Sequence, residues 1–240
     1  PRGVAVAVDP DRRRAARAVV QGYGAWILVL DDGWEQPGLR WDELWVAVDP
    51  RRPAGNGALL PSGPLRRPAA TLAEATRVLC LLEDPDEEIP ATTREWAARH
   101  ARGLPLLRFL RVLRGVSRLG GVGAAEPVRR GIPVALLSGV GSPRRLERFA
   151  KAAGVDCRYH AAFPDHAPWS EPPLRAAIER ARRAGAEVIY VTEKDEPRWP
   201  ESLDPPIPVR VLRTQIVPLD PMDDALGPLR AAVAGAGRIG

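Results

Sequence analysis

Two aspartates close an apolar run, Trp26-Ile27-Leu28-Val29-Leu30-Asp31-Asp32. A buried strand that ends in acids puts carboxylates at its C-terminal end, which in an open α/β sheet is the ligand crevice. In phosphoryl-transfer enzymes such an acid holds the magnesium that bridges the phosphates. Acids at strand ends also cap helices and close turns, so this pattern needs company. A second candidate is Phe163-Pro164-Asp165-His166, where a histidine with an acidic neighbour follows an expected strand. An imidazole that titrates near neutrality moves protons or senses a phosphate, although a single loop histidine is often idle. His100 and His160 show no comparable setting.

The stretch from Gly55 to Arg66 is rich in Gly, Asn and Pro. Gly55, Asn56 and Gly57 tolerate positive φ, so backbone N–H groups can converge there on an anion. Arg66 would add a planar, bidentate contact to a phosphate; the alternative is a packed turn. Thr192-Glu193-Lys194-Asp195 stands at another expected strand end and reads otherwise as a solvated charge cluster. A phosphate cradle of the form G-x-x-x-x-G-K-S/T is absent from the 240 residues, and the two lysines, Lys151 and Lys194, follow Ala150 and Glu193. The turn from Gly139 to Pro143 precedes an expected helix and could receive an anion there, without that lysine.

The elements that must position these groups follow from apolar runs and breakers. Strands are expected at Val4 to Val8, Trp26 to Leu30, Leu44 to Val48, Val78 to Leu82, Val134 to Leu137, Cys157 to Ala162, Val188 to Val191 and Val209 to Leu212. Helices are expected from Asp9 (N-cap) and Pro10 to about Gln21, and over Thr92 to Arg102, Pro143 to Ala153, Leu174 to Ala184 and Asp223 to Val233. Residues 50–70 form a long loop, and long ordered loops tend to be functional. Strands alternating with helices give an α/β fold with a mainly parallel sheet. Two domains are expected, 1–105 and 106–240, with a connector at about 106–130.

Composition narrows the function. Apolar residues make up 45% and charged residues 27%, which suits a globular core. The apolar runs are too short to cross a bilayer. Cys80 and Cys157 give neither a disulfide framework nor a zinc spacing and read as buried, inert thiols. The net charge is +5. Arginines are scattered along the chain rather than gathered in a stripe, which argues against a nucleic-acid partner.

Taken in order, these segments resemble the tetraacyldisaccharide 4′-kinase family, the lipid A kinases of Gram-negative bacteria. The family's D-D-G-F/L-Q-H segment is similar to Asp31 through Gln36, and its G-N-G-x-L-L-P-A-G-P-L-R-E segment to Gly55 through Arg67. Its G-I-G-x-P, F-P-D-H and T-E-K-D segments resemble Gly139 to Pro143, Phe163 to His166 and Thr192 to Asp195. The resemblance implies a P-loop-kinase-like α/β domain and a smaller second α/β domain. It implies transfer of the ATP γ-phosphate, with magnesium (Mg2+), to the 4′-hydroxyl of a tetraacylated glucosamine disaccharide 1-phosphate, giving lipid IVA. The setting would be the cytoplasmic face of the bacterial inner membrane, held peripherally. By the same resemblance Asp31 and Asp32 would lie at the magnesium and acceptor site. His166 would belong to a catalytic Asp–His pair. Asn56, Gly57, Arg66 and Glu35 would face the sugar-phosphate head.

Several departures qualify the match. The family's phosphate cradle, a G-D-E-P segment carrying the partner acid of the pair, and an apolar N-terminal helix all lie upstream of the segment that corresponds to Pro1. A missing front third is the expectation, and turnover by this chain alone is not expected. The alternative is a degenerate, non-catalytic relative that binds an anionic glycolipid. Glu35 stands for glutamine, Gln36 for histidine, Arg67 for an acid, and Glu196-Pro197-Arg198 for A-V-K.

Overall fold

The computed structural model describes residues 4–24, 27–36, 38–121, 124–164, 168–223, 226–228 and 230–231. Two compact units are present. One comprises residues 1–80, 89–108 and 220–240, the other 81–88 and 109–219. The expected boundary near 105 therefore falls beside a strand that runs from one unit into the other. Residues 81–88 and 220 onward belong with the unit on its far side in sequence.

In the first unit, helix α1 (Arg12–Tyr23) opens on Asp11, whose carboxylate accepts from the Arg13 N–H, and closes on Gly24. The expected cap, Asp9, instead accepts from the Asp11 N–H and pairs with Arg14. The helix thus begins two residues later than the Asp-Pro signal suggests. Strand β1 (Trp45–Val48) runs parallel to β2 (Arg77–Leu82), and α2 (Ala91–His100) follows. Leu72, Ala75, Val78 and Ala101 form the small core, with Trp34, Val46, Trp96 and Leu106 packed on it.

Two expected strands are not found. The described residues of 4–8 and 27–30 join no ladder. Val6, Val8 and Val29 are 80%, 91% and 92% exposed. An apolar run becomes a strand only where a neighbour supplies the ladder hydrogen bonds, and among the described residues none does.

The second unit is a three-layer α/β sandwich. Residues expected as a connector form its longest strand, β3 (Leu106–Arg118). It is antiparallel to β7 (Val209–Pro218), which extends beyond the expected Val209 to Leu212. Strands β4 (Pro133–Ser138), β5 (Asp156–Ala162) and β6 (Val188–Thr192) complete the order β3-β7-β6-β4-β5. β4 runs parallel to β5 and β6, and β6 parallel to β7. The central strands read as continuous apolar runs because both faces are covered. Leu137, Ile189 and Val191 pack with Leu174 and Ile178 of α4 (Glu171–Arg183). Val134, Leu136 and Tyr190 pack with Ala150 of α3 (Pro143–Ala152). Alternate residues of β4 therefore feed two separate cores.

Candidate active site

The first unit brings together the acids of the 31–35 segment and the loop that ends at Arg66. Asp31 and Asp32 occupy a turn, and Gly33–Glu35 forms one 3-10 turn. Asp32 adopts φ 53°, ψ 37°, a left-handed conformation that costs a residue with a Cβ. Arg66 Nη1 donates to Asp32 Oδ2 at 2.8 Å and to Glu35 Oε2 at 3.4 Å. Among the described residues no partner engages the Asp31 carboxylate or the remaining donors of Arg66.

The loop itself is a closed unit. Asn56 Nδ2 donates to the Ser62 carbonyl at 2.8 Å, and Asn56 Oδ1 accepts from the Ala58 N–H at 3.1 Å. Gly63 is tight against it: a Cβ there would lie 2.2 Å from Asn56 Oδ1. The N–H groups of Gly55, Gly57, Leu60, Gly63 and Leu65 donate to carbonyls within the loop. Asn56 and Gly57 thus shape the loop, and its outward donor is Arg66. Arg67, one residue on, turns instead to Trp34 and Glu74.

In the second unit the Gly139 turn, Phe163 and the Thr192–Asp195 segment gather at the C-terminal ends of the parallel strands β4, β5 and β6. Asp165 and His166 lie outside the described residues. The solvated-cluster reading fails at Asp195, which is 0% exposed, whereas Glu193 and Lys194 are exposed. Its Oδ1 accepts from the Gly139 N–H at 3.0 Å and its Oδ2 from the Thr192 hydroxyl at 2.6 Å, with Arg198 at 3.5 Å. Trp169 packs beside Phe163 and Trp199, with ring centroids 4.8 and 6.3 Å away.

His160, which sequence gave no role, is engaged at both nitrogens. Nε2 lies 2.7 Å from the Ser138 hydroxyl and Nδ1 lies 2.7 Å from Glu147 Oε1. This is the line-up of a nucleophile, base and acid, but Ser138 is completely buried and no substrate reaches it. It joins β4, β5 and α3. No local sequence signal reveals it, since the three residues come from three elements.

Magnesium takes one or two carboxylates together with phosphate oxygens and water. A carboxylate such as Asp31, which meets no partner among the described residues, fits that use. Among the described residues no group of three or more His, Cys, Asp and Glu forms a protein-only metal cage. Nor is any helix long and apolar enough to cross a membrane.

The mostly parallel sheet with helices packed on it defines a protein of the α/β class. The fold is similar to the crystal structure of LpxK from Aquifex aeolicus in complex with ATP. The TM-score is 0.62 at 17% identity, over 94% of this chain and 63% of that one. Residues 1–226 match the family LpxK, tetraacyldisaccharide-1-P 4'-kinase. Curated relatives named tetraacyldisaccharide 4'-kinase include one from Rhodospirillum centenum, 38% identical over 91% of this chain and 60% of that protein. One from Methylobacterium sp. (strain 4-46) is 33% identical over 95% of this chain and 63% of that protein. The chain belongs to the tetraacyldisaccharide 4'-kinase family. It spans about half to three-fifths of the length of the curated relatives it matches.

Proposed function

We propose that the protein serves ATP-dependent phosphorylation of the 4′-hydroxyl of a tetraacyldisaccharide 1-phosphate in lipid A synthesis, working peripherally at the cytoplasmic face of the inner membrane. The first unit is read as belonging to a P-loop-type kinase domain, and the second as the smaller α/β domain. The observation that carries the reading is Arg66: its Nη1 is fixed by Asp32 and Glu35, while its other donors meet no partner among the described residues and the side chain is 56% exposed. A planar fork held on one side and open on the other suits a phosphate group.

Roles for the chain's own residues follow. Arg66 orients the anionic head of the acceptor. Asp32 and Glu35 hold Arg66. Asp31 would hold magnesium, which would neutralise charge on the phosphates of ATP, the phosphoryl donor. The acceptor hydroxyl must lose its proton as its oxygen bonds to the γ-phosphorus and the bond from that phosphorus to the bridging oxygen breaks to release ADP, and His166 is assigned that proton by the family resemblance.

The test is direct. The purified chain is expected to bind tetraacyldisaccharide 1-phosphate in detergent micelles. Arg66→Ala should weaken that binding about tenfold or more, as loss of a charge-assisted contact does. Incubation with magnesium-ATP and acceptor should give no product from this chain alone, because its 240 residues carry no glycine-rich cradle lysine. Binding that is indifferent to Arg66 would refute the anchor, and product formation would refute the dependence on a cradle.

A further inference from the structure

Arg67 stands beside Arg66 in the chain but belongs to a different set of contacts. Its Nη2 donates to Glu74 Oε1 at 3.0 Å and its Nη1 to the Trp34 carbonyl at 3.2 Å. The guanidinium lies over the Trp34 ring, 4.7 Å from the centroid. Trp34 Nε1 donates to Glu74 Oε2 at 3.1 Å. The three side chains close a cycle. Both Glu74 oxygens are engaged, one by each partner, and the indole is held at its face and at its edge. Trp34 also packs against the core of the first unit.

The neighbours of this cycle are the residues of the candidate site. Asp32 and Glu35 flank Trp34, and Arg66 precedes Arg67. Fixing Trp34 and Arg67 therefore fixes the two backbone segments from which Asp32, Glu35 and Arg66 project. Such fixing is needed, because Asp32 sits at a positive φ that a free loop would leave.

We propose that Arg67, Trp34 and Glu74 form a clamp that holds the 31–35 segment against the loop carrying Arg66, with Arg67 as a positioning residue rather than a contact to the acceptor. The clamp deepens the reading of Arg66 as phosphate anchor and rests on it for the binding arm of the test. Arg67 is 29% exposed where Arg66 is 56% exposed. Its charge is offset locally by Glu74, so a second arginine in the loop adds no second free cation to the head-group surface. Planar stacking combined with a fork that reaches two acceptors favours arginine, since lysine keeps only the point charge.

The experiment has two arms on the 240-residue chain. In the first, amide hydrogen exchange is compared between wild type and Arg67→Ala. Exchange over 31–36 should rise about tenfold or more, while β4 and β6 stay protected. Trp34→Phe keeps a smaller aromatic face for Arg67 and removes the N–H donor to Glu74, and should give an intermediate rise. It decides the matter if Arg67→Ala fails to fold. In the second arm, affinity for tetraacyldisaccharide 1-phosphate should fall about five- to tenfold in Arg67→Ala, with partial recovery in Arg67→Lys. The loss should nearly vanish when Arg66→Ala is already present, because a positioning residue acts through the residue it positions. Unchanged exchange over 31–36 in both variants would overturn the clamp. Additive losses from Arg66→Ala and Arg67→Ala would overturn the positioning role and make Arg67 a direct contact. A wild type that does not bind the probe would sink the anchor reading, while the exchange arm would still decide the clamp.

Discussion

Asp195 is a carboxylate at a fully buried position, and its side chain accepts from the Gly139 N–H and from the hydroxyl of Thr192, the last residue of β6. A buried carboxylate survives there because it accepts two hydrogen bonds and has Arg198 beside it. Removing it strands the Gly139 N–H, the Thr192 hydroxyl and the Arg198 guanidinium together. Asp195→Ala should lower unfolding stability by roughly 2–4 kcal/mol, the scale of breaking one side of a buried charged network. Urea midpoints of the two proteins check this, and equal midpoints would contradict it. Gly139 belongs to the same arrangement, since a Cβ there would sit 2.8 Å from Arg198 Nη1 and 3.1 Å from both Asp195 Oδ1 and Trp169 Nε1. Cys80 shows the opposite use of burial: desolvation, with a smaller push from Asp49, raises its thiol to about 11. That makes it the inert core residue its apolar setting suggests.

Strands β3 and β7 show how one residue shapes an element. Their register slips between Leu113 and Gly115, where the ladder admits a bulge. Gly115 has φ 140°, and a Cβ there would lie 2.2 Å from the Glu126 carbonyl oxygen. That carbonyl accepts from the Val116 N–H at 2.8 Å, and the Glu126 N–H donates back to the Val116 carbonyl at 2.7 Å. A side chain at 115 would push this short bridge apart while also straining the backbone. Gly115→Ala should therefore cost about 2 kcal/mol or more, beyond the usual penalty for alanine at a positive φ. Thermal unfolding measures it, and a cost under half of that would show that the bridge simply shifts aside.

At the scale of the whole molecule the chain passes repeatedly between two units, and the first is stapled by residues far apart in sequence. Arg108 donates to Asp220 through its Nη2 at 2.7 Å and through its backbone N–H at 2.6 Å. The Arg108 side-chain hydrogen bond, outweighing partial burial, holds the Asp220 carboxyl below its ordinary 3.8. A carboxyl lowered by folding stabilises the native state above the unfolded value, and that contribution is lost as pH falls through the lowered one. Asp220→Asn should therefore melt below wild type at pH 6, with the gap shrinking as pH falls below the ordinary carboxyl value of 3.8. A gap that persists in acid would mean that Asp220 contributes by shape rather than by charge. The two units also differ in their cores. The second has apolar clusters on both faces of its sheet, whereas the first has one small cluster and several exposed valines.

The sequence by itself determined the alternation of strands and helices, because apolar runs, Asp and Gly caps and Pro positions are local signals. β4, α3, β5, α4 and β6 stand within a few residues of where those signals put them. It also determined the family, through short segments kept in order. Three things were decided only by the tertiary structure. Val4 to Val8 and Ile27 to Leu30 read as strands yet pair with nothing described, because pairing depends on a neighbour and not on the run itself. Asp195 reads as a solvated charge and is buried, since burial is set by which loops converge on a strand end. Arg66 and Arg67 are identical in type and adjacent in sequence, yet one faces Asp32 and Glu35 and the other Trp34 and Glu74. Those partners lie 31 to 34 residues away, or seven residues on along another turn, and only the folded chain selects between them.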